Sequence, residues 1–585
     1  MKNFIKKSVS GALWEVLKTD AQKAMTFCQK LEIFQSVAEI LALNPNLTLE
    51  DAKTFLFPSI KTQMPNPFEA LLDVSFASER IIKAIKKKEK VVIFGDYDVD
   101  GATSSAILKK FFAYFSLDVQ IYIPDRIKEG YGPNSNALLE LKKQGAELVI
   151  TVDCGTVAFE PLKKASDAGL EIVVIDHHIG VKEKPESIAV INPNRWDETS
   201  ELTYLCGAGV VFMLIVAVNI KLKAENFYLQ HNIKEPNLLS LVDLVALGTV
   251  CDVMPLIGLN RAFVKTGIEV IKAKTNKGIK ALLSVAGVEA EITEFTLGFV
   301  LGPRINAGGR IGSSTLGANL LSTENEEEAI KIANELNELN AKRKEMEDND
   351  LNFAINKIER EKTFENKFIF VEDASFHQGI IGILASRLKE RYQKPCAVFS
   401  SLEGYLKASI RSVPNIDVGS IIHKANDANL LIAGGGHAMA GGLSVLKENY
   451  KKLELFFQEN IEEKESVKTY YISSVLTPLA ASVELVNQVK NLSPFGSANP
   501  KPIFLMQNLI VIKFNVLKEK HASFLLKDEN SGKTIKAMFF KAFELGILHH
   551  LEKTYGKTVD VIGELEINEW NGNKTVQLNL IDIAL

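Results

Sequence analysis

Short apolar runs alternate with helix-like segments over residues 91–175. The runs VVIFG, VQIYI, ELVITV and EIVVI are rich in valine and isoleucine and are continuous rather than alternating with polar residues. Between them, residues 103–115, 134–143 and 158–168 show the apolar spacing of helices. Continuous apolar runs are typical of strands covered on both faces, so the pattern predicts a parallel sheet with βαβ connections.

A long segment without glycine or proline follows. Neither residue occurs between Gly317 and Gly379, and residues 324–362 are rich in Glu, Lys, Ala, Leu and Asn. This composition predicts one helix of about 39 residues, about 58 Å long. Thr323 and Glu326 have the spacing of a capping box at its start. Such a helix is long enough to connect two domains.

Two further units are predicted after this helix. The strands KFIFV, CAVFS and YLKASIR, helices at 380–391 and 447–461, and the Gly-rich turn GGGHAMAGG predict a smaller α/β domain. From residue 468 onward, short strand-like runs separated by turn residues predict a small β-barrel. Residues 1–85 show helical spacing interrupted by prolines. The predicted fold class is therefore multidomain α/β.

Composition agrees with several globular domains. The 585 residues correspond to about four domains of roughly 150 residues. The hydrophobic fraction of 46% and the charged fraction of 24% exclude a disordered or coiled-coil chain. The net charge of -4 provides no global positive field, so a polyanion would have to bind to local patches.

Cysteine use and apolar run length indicate the compartment. The 5 cysteines include no C-x-x-C pair, which argues against a disulfide framework and a cysteine-type zinc site. No stretch near the N-terminus has signal-peptide length, and the longest apolar run, 208–218, is too short to span a bilayer. We expect a reducing cytoplasm, no membrane association, and a buried helix at 208–218.

Acidic residues and histidines follow three predicted strands at the points where the strands end. One further acid follows an apolar helix. The complete set is Asp96, Asp98, Asp100, Asp153, Asp176, His177, His178 and Asp252. Ligands of such sheets gather at the carboxyl ends of the strands, so we expect these side chains to meet. An EF-hand loop and a solvated acidic turn are the alternatives for the first motif, but the remaining EF-hand ligands are absent.

This mixture of side chains favours a particular chemistry. Carboxylates and imidazoles without thiolate ligands suit Mn²⁺ or Mg²⁺ better than structural zinc. Two such ions about 3.5–4 Å apart can activate a water and stabilise the leaving oxygen of a phosphodiester. The predicted reaction is hydrolysis at phosphorus, with two divalent cations as cofactors.

The strings VVIFGDYDVDGATS, VDCG and IDHH resemble the ordered motifs of the DHH phosphoesterase superfamily. From Val91 onward the chain is similar to its RecJ branch of single-strand-specific 5′ to 3′ DNA exonucleases. Superfamily members carry a histidine where this chain has Phe94, and Asp96 is expected to compensate. The resemblance implies that the metal ligands are Asp96, Asp98, Asp100, Asp153, His177 and Asp252, with Asp153 bridging. It implies that the catalytic residues are Asp98, Asp100, Asp153, His177, His178 and Asp252.

Donors for phosphate oxygens occur in three short motifs. Arg126 follows VQIYI, GPRINAGGR contains Arg304 and Arg310, and KASIRS contains Ser409 and Arg411. Arginine can bind phosphate through two hydrogen bonds, although an ion pair is the alternative for any isolated arginine. In RecJ relatives the matching positions are implicated in holding the 5′ phosphate and the strand.

Two histidine motifs resemble the DHH-associated domain that closes over nucleic acid. His377 precedes a predicted helix, and His437 lies in the Gly-rich turn. Backbone amides in Gly-rich turns and at helix N-termini favour phosphate. Both histidines are therefore substrate-binding candidates, and a structural role is the alternative for His437.

The resemblance divides the chain into five parts. These are an N-terminal helical segment (1–85), a DHH catalytic domain (86–320), a connecting helix (321–365), a DHH-associated substrate-binding domain (366–465) and an OB-fold domain (468–585).

The implied activity is two-metal-dependent hydrolysis from the 5′ end of single-stranded DNA, in DNA repair and recombination. A DHH phosphodiesterase of short oligoribonucleotides or cyclic dinucleotides and a non-catalytic replication scaffold are the alternatives. The family suggests single-stranded DNA, a single-strand-binding protein and a RecQ-type helicase as partners, in the bacterial cytoplasm.

Overall fold

The computed structural model describes all residues except 1–4, 127, 462–466, 519–520, 541, 543–547 and 571. The chain forms two compact units. The first unit consists of Met1–Met64, Pro255–Lys265 and Ser466–Leu585. The second unit consists of Pro65–Met254 and Thr266–Glu465.

Strands and helices both occur before residue 88. The described elements are β1 (Ile5–Lys7), β2 (Leu13–Val16), α1 (Ala21–Leu31), α2 (Gln35–Ala42), α3 (Leu49–Leu56), α4 (Ile60–Gln63), α5 (Pro67–Ala70) and α6 (Val74–Lys87). The prediction of one helical segment over 1–85 is wrong in two respects. Residues 5–7 and 13–16 are strands, and the segment is divided between the two units after Met64. β2 pairs with Thr469–Ile472, and such a distant partner leaves no local sequence signal.

A parallel sheet forms the centre of the second unit, as predicted. Its elements are β3 (Val91–Gly95), α7 (Val99–Ala113), β4 (Gln120–Tyr122), α8 (Ser135–Lys143), β5 (Leu148–Val152), α9 (Phe159–Asp167), β6 (Glu171–Ile175) and β7 (Ala189–Ile191). The strand order is β4-β3-β5-β6-β7, with all neighbours parallel. Gly95, Val152, Ile175 and Ile191 are register partners. Four strands therefore end level at one edge.

A group of helices follows this sheet in the chain. They are α10 (Gly207–Ala224), α11 (Phe227–Gln230), α12 (Val242–Cys251), α13 (Gly258–Lys272), α14 (Lys277–Val285), α15 (Gly302–Ile311) and α16 (Leu316–Ser322), with a π-helical turn at Thr296–Leu301. α10, α12 and α16 pack around α7. Among the described residues only α10 is long and apolar enough to cross a membrane, and 72% of it is buried inside the protein. That burial is typical of a core helix.

The long helix α17 (Glu326–Glu361) has 36 residues and is about 54 Å long. The capping box predicted for Thr323 and Glu326 is wrong. Asn325 caps the helix instead, because its side-chain oxygen accepts the N–H groups of Glu327 (2.9 Å) and Glu328 (3.1 Å). The first half of α17 packs on α14 and α15, and its second half packs on the domain that follows. The helix is thus embedded at both ends.

The smaller α/β domain follows α17. It contains β8 (Ile369–Asp373), α18 (Ile381–Tyr392), β9 (Cys396–Ser401), β10 (Tyr405–Arg411), α19 (Val418–Asp427), β11 (Ala433–His437), β12 (Ala440–Leu446) and α20 (Tyr450–Glu459). The sheet order is β11-β12-β10-β9-β8. The predicted Gly-rich turn is instead a hairpin, in which Gly435 and Gly436 of β11 pair with Gly442 and Gly441 of β12. Glycine carries little local preference for strand, so the pairing was not evident from the sequence.

A closed barrel completes the first unit, as predicted. The elements are β13 (Thr469–Ile472), β14 (Ser474–Val475), α21 (Val483–Lys490), β15 (Phe504–Leu517), β16 (His521–Asp528), β17 (Thr534–Phe539), α22 (Leu548–Glu552), β18 (Thr558–Trp570) and β19 (Asn573–Ala584). Strands β15, β16, β17, β19 and β18 pair in this order, and β18 pairs back onto β15. One hydrophobic core contains Phe27 and Leu41 from the N-terminal helices together with Phe504 and Phe524 of the barrel.

We expect Gly278→Ala to destabilise the second unit. A Cβ at Gly278 in α14 would lie 2.0 Å from the carbonyl oxygen of Leu320 in α16, so the two helices would have to separate. Overpacking of this kind lowers the free energy of unfolding by about 1–3 kcal/mol. Gly435→Ala is the control, because nothing lies within 4 Å of the added Cβ. Thermal unfolding followed by circular dichroism should show a lower Tm for Gly278→Ala alone, and equal shifts would contradict the packing described.

Candidate metal centre and phosphate cleft

The level strand ends bring acidic and imidazole side chains to one edge of the parallel sheet. Asp96 follows β3, Asp153 follows β5 and Asp176 follows β6. His177 and His178 come directly after Asp176. Asp153 has a φ of 59°, a left-handed conformation that is rare outside glycine and is typical of functional sites.

Asp98 and Asp100 reach the same edge from the start of α7. Asp98 caps this helix, and its Oδ1 accepts the N–H groups of Asp100 (2.9 Å) and Gly101 (3.1 Å). The buried carboxylate of Asp100 accepts the N–H groups of Gly207 (2.5 Å) and Ala208 (3.0 Å) at the start of α10. A Cβ at Gly207 would lie only 2.8 Å from Asp100, so glycine is needed for this approach.

These side chains and Asp252, the C-cap of α12, form one cluster. His177 Nε2 lies 3.1 Å from Asp153 Oδ1, 3.4 Å from Asp252 Oδ2 and 3.8 Å from Asp100 Oδ2. Within the described chain, three sets of potential ligand atoms each lie within 4.8 Å of one another. The sets are Asp96, Asp98 and Asp153; Asp100, His177 and Asp252; and Asp153, His177 and His178. The structure thus brings all seven predicted residues together.

Asp176 orients the two histidines, although only its position at the sheet edge was predicted and no catalytic or metal-binding role. Its Oδ1 accepts the N–H of His177 (2.8 Å) and the Nδ1–H of His178 (2.8 Å), and its Oδ2 accepts the N–H of Thr156 (3.0 Å). Burial alone would raise the pKa of Asp176, but His178 and Thr156 lower it to about 2. Burial alone would lower the pKa of His178, but Asp176 raises it to about 9. Asp176 and His178 therefore form a charged pair at neutral pH.

Two asparagines that follow β7 were also missed. Asn192 Nδ2 donates to the carbonyl oxygen of His178 (2.8 Å), and Asn194 Nδ2 donates to that of His177 (2.7 Å). They hold the backbone that carries both imidazoles. The signal was present in the sequence, since INPN occupies the end of a strand just as the acids do.

The raised pKa values of the acids show that carboxylates are crowded in this cluster, and such crowding favours the binding of cations. Burial and the charges of Asp100 and Asp98 raise the pKa of Asp153 well above its usual range, and the same causes raise the pKa of Asp252 to about 8. Burial lowers the pKa of His177, so its imidazole is neutral and able to bind a metal. Asp96 Oδ1 is buried without a hydrogen-bond partner in the described chain. Oxygen and nitrogen donors of this kind suit Mn²⁺ or Mg²⁺.

A cleft of about 680 Å³ in the second unit contains a cluster of arginines. The Arg126 guanidinium lies over the Tyr97 ring, 4.7 Å from its centroid. Arg310 donates to the carbonyl oxygen of Gly379 (3.0 Å), and Arg411 donates to Ser409 Oγ (3.1 Å). Burial and the neighbouring guanidinium of Arg126 lower the pKa of Arg310 to about 10 and also lower that of Arg411. The cleft therefore concentrates positive charge and suits an anion.

The structure does not bring the other three predicted substrate residues into the lining of this cleft. Arg304 donates to Asn337 Oδ1 (3.0 Å) and to the carbonyl oxygen of Val300 (2.8 Å). Arg304 and Arg310 are six positions apart on α15 and so point to different sides of it. His377 Nδ1 accepts the N–H of Gly379 (3.1 Å) beside the cleft, and His437 is exposed on the edge strand β11.

A parallel sheet with acids and histidines at its strand ends, followed by a smaller α/β domain and accompanied by a cleft lined with arginines from both, defines a phosphoesterase of the DHH class. Three family descriptions match the chain: "DHH family, N-terminal domain" at residues 90–249, "DHHA1 domain" at 365–463 and "RecJ OB domain" at 472–582.

Two relatives named single-stranded-DNA-specific exonuclease RecJ are each 32% identical to the chain. The Bacillus subtilis protein matches 98% of this chain and 71% of its own length, and the Escherichia coli protein matches 88% and 91%. The structure of RecJ with Mn²⁺ from Thermus thermophilus has a TM-score of 0.80 at 26% identity, covering 97% of this chain and 79% of that one. The chain belongs to the RecJ family.

We expect Mn²⁺ to stabilise the protein more at pH 8 than at pH 6. The raised pKa values mean that the folded state keeps protons that the unfolded chain has lost. Between the usual pKa of 3.8 and about 8, the metal-free protein therefore loses stability as the pH rises. Metal binding displaces these protons and is favoured at higher pH. Thermal unfolding with Mn²⁺ and with EDTA at both pH values measures the effect.

Asp153→Asn should remove most of this Mn²⁺-dependent rise in Tm. Asp243→Asn is the matched control, because burial raises the pKa of Asp243 to about 7 although it belongs to none of the three ligand sets. An equal response to Mn²⁺ in Asp153→Asn and in the unmodified protein would count against the metal centre.

Proposed function

We propose that this protein is a metal-dependent exonuclease that hydrolyses the phosphodiester bonds of single-stranded DNA from the 5′ end. The observation that carries the proposal is the direct connection of the metal centre to the arginine cleft. Tyr97 lies between Asp96 and Asp98 in sequence and packs under Arg126. Tyr131 lines the cleft, and its hydroxyl donates to the carbonyl oxygen of Asp153 (3.2 Å). A phosphate held by the arginines is therefore beside the acids.

The residues that would hold two divalent cations are Asp96, Asp98, Asp100, Asp153, His177 and Asp252. Asp153 belongs to two of the three ligand sets, which supports a bridging role. When bound, the cations supply an activated water and neutralise charge on the phosphodiester. The N–H groups that hold Asp98 and Asp100 keep these carboxylates oriented. His178 donates its Nδ1–H to Asp176. Its Nε2–H is therefore the group that can donate to a phosphate oxygen.

The charge of the cleft supports a preference for a 5′-terminal phosphate. A terminal phosphate monoester carries nearly two negative charges at neutral pH, whereas an internal diester carries one. Three guanidinium groups at Arg126, Arg310 and Arg411 repel one another, and a dianion relieves this repulsion more fully. Ser409 adds a hydroxyl at the same place.

The wider roles rest on the family resemblance. We propose that residues 86–320 carry catalysis and that 366–465 bind the strand, with 321–365 connecting them. The OB-type barrel within 468–585 is expected to contribute to binding of the strand. Cytoplasmic action in DNA repair and recombination, beside a single-strand-binding protein and a RecQ-type helicase, completes the proposal. Co-purification with each partner tests these associations.

With Mn²⁺ or Mg²⁺, the protein should release mononucleotides from the 5′ end of single-stranded DNA and leave blunt duplex intact. Strands labelled at either end distinguish the two polarities, and cyclic dinucleotides and short oligoribonucleotides test the phosphodiesterase alternative. Asp153→Asn should lower kcat by at least about 1,000-fold because metal binding is lost. Binding of the strand should be retained. Asp243→Asn should cleave normally. Cleavage from the 3′ end, or a fully active Asp153→Asn, would refute the proposal.

Arg411→Gln should raise the KM for 5′-phosphorylated strands by roughly 10- to 100-fold, because a hydrogen bond to a charged group is lost. The KM for 5′-hydroxyl strands should change less, and kcat should remain close to normal. Arg360→Gln is the control, since this side chain is exposed at the end of α17. Equal changes for both kinds of strand would show that Arg411 does not recognise the terminal phosphate.

A further inference from the structure

Two large aromatic side chains stand exposed beside the arginine cleft. Phe295 and Phe299 are 62% and 71% exposed, although phenylalanine is among the residue types most often buried. Their rings stack on each other, with centroids 4.9 Å apart and planes inclined by 21°. Because Phe295 covers one face of Phe299, the opposite face of Phe299 is the one left for another ring.

The backbone under this pair is fixed. The π-helical turn Thr296–Leu301 carries Phe299, and the side chains of Leu297 and Leu301 are fully buried. Cys251 Sγ donates to the carbonyl oxygen of Leu297 (3.4 Å), which ties the turn to the last residue of α12, just before Asp252. The pair is therefore held in a defined position relative to the metal centre.

Arg304 supports the turn from its other end. The Arg304 guanidinium donates to the carbonyl oxygen of Val300 within the turn (2.8 Å). It also donates to Asn337 on α17. These contacts support a positioning role for Arg304.

Phe299 lines the same cleft as Arg126, Arg310 and Arg411. A single strand whose phosphate binds these arginines carries its nucleobases within reach of the cleft walls. Bases stack on exposed aromatic rings irrespective of their sequence, and such stacking contributes substantially to the binding of single strands. The cleft offers both kinds of contact, cationic groups for phosphate and an apolar face for a base.

We propose that Phe299, supported by Phe295, is a stacking platform for one nucleobase near the 5′ end of the strand. The inference rests on the proposed function and extends it to the recognition of bases. The platform binds any base and requires the base to be unpaired, because a paired base is already stacked within its duplex. It therefore contributes to single-strand specificity at the metal centre itself.

The test is cleavage of 5′-phosphorylated strands in which one abasic site is moved along the first six or so nucleotides. In the unmodified protein, an abasic site at one position should raise KM more than at the others. Phe299→Ala should raise the KM for the intact strand by roughly 5- to 100-fold with little change in kcat, and should lose the sensitivity at that one position. Phe299→Trp should restore both, and Phe295→Ala should have a smaller effect.

Phe76→Ala is the matched control, since Phe76 is 62% exposed on α6 and does not line the cleft. An unchanged KM and abasic profile in Phe299→Ala would overturn the platform, while 5′ cleavage by the unmodified protein would leave the proposed function standing. Fluorescence anisotropy of the same strands in EDTA tests the platform without turnover. Loss of affinity and of abasic sensitivity together in Phe299→Ala supports it, and retention of both overturns it.

Discussion

Five carboxylates share a largely buried space at the edge of the parallel sheet, and their mutual repulsion is the constraint around which the second unit is built. Burial and neighbouring charges raise the pKa of Asp96, Asp153 and Asp252. The protein orients these groups, and without cations the raised pKa values favour their protonated forms. α7 and α10 direct their N-terminal N–H groups at Asp98 and Asp100, whereas α12 ends at Asp252. The negative end of α12 adds to the field that favours a cation.

Like charges are also crowded together in the cleft. Guanidinium groups crowd together at Arg126, Arg310 and Arg411, and Asp176 and His178 form a charged pair at the boundary. Positive charge in the cleft and negative charge at the sheet edge lie side by side, joined through Tyr97 and Tyr131. Like charges are crowded together within each region, so the metal-free site is electrostatically unfavourable by itself. A phosphate and its cations would complement both regions at once.

The parts of this site that could be predicted from the sequence are those set by strand ends. Continuous apolar strands specify a buried parallel sheet, and the residue after each strand must lie at the common edge. That rule predicts the grouping of Asp96, Asp153 and Asp176, with His177 next to Asp176. It also applies to Asn192 after β7, which was missed because an amide carries no obvious metal chemistry.

Side-chain direction and distant pairing could not be predicted in the same way. GPRINAGGR contains a proline and three glycines, yet it forms α15, and only the helix register separates Arg310 from Arg304. Asn325 is the cap of α17 and Thr323 instead ends α16; residues of both types cap well, so the local sequence did not distinguish them. The strands β1 and β2 depend on a partner near the opposite end of the chain.

The first unit joins the beginning and the end of the polypeptide in one hydrophobic core, where Phe27 and Leu41 pack with Phe504 and Phe524. This arrangement fixes an order of events during translation. At about 5–20 residues per second, roughly 30–100 s separate the synthesis of residue 64 from that of the last residue. The whole second unit is synthesised within that interval. The N-terminal helices therefore cannot complete this hydrophobic core until the final strands of the barrel have been synthesised.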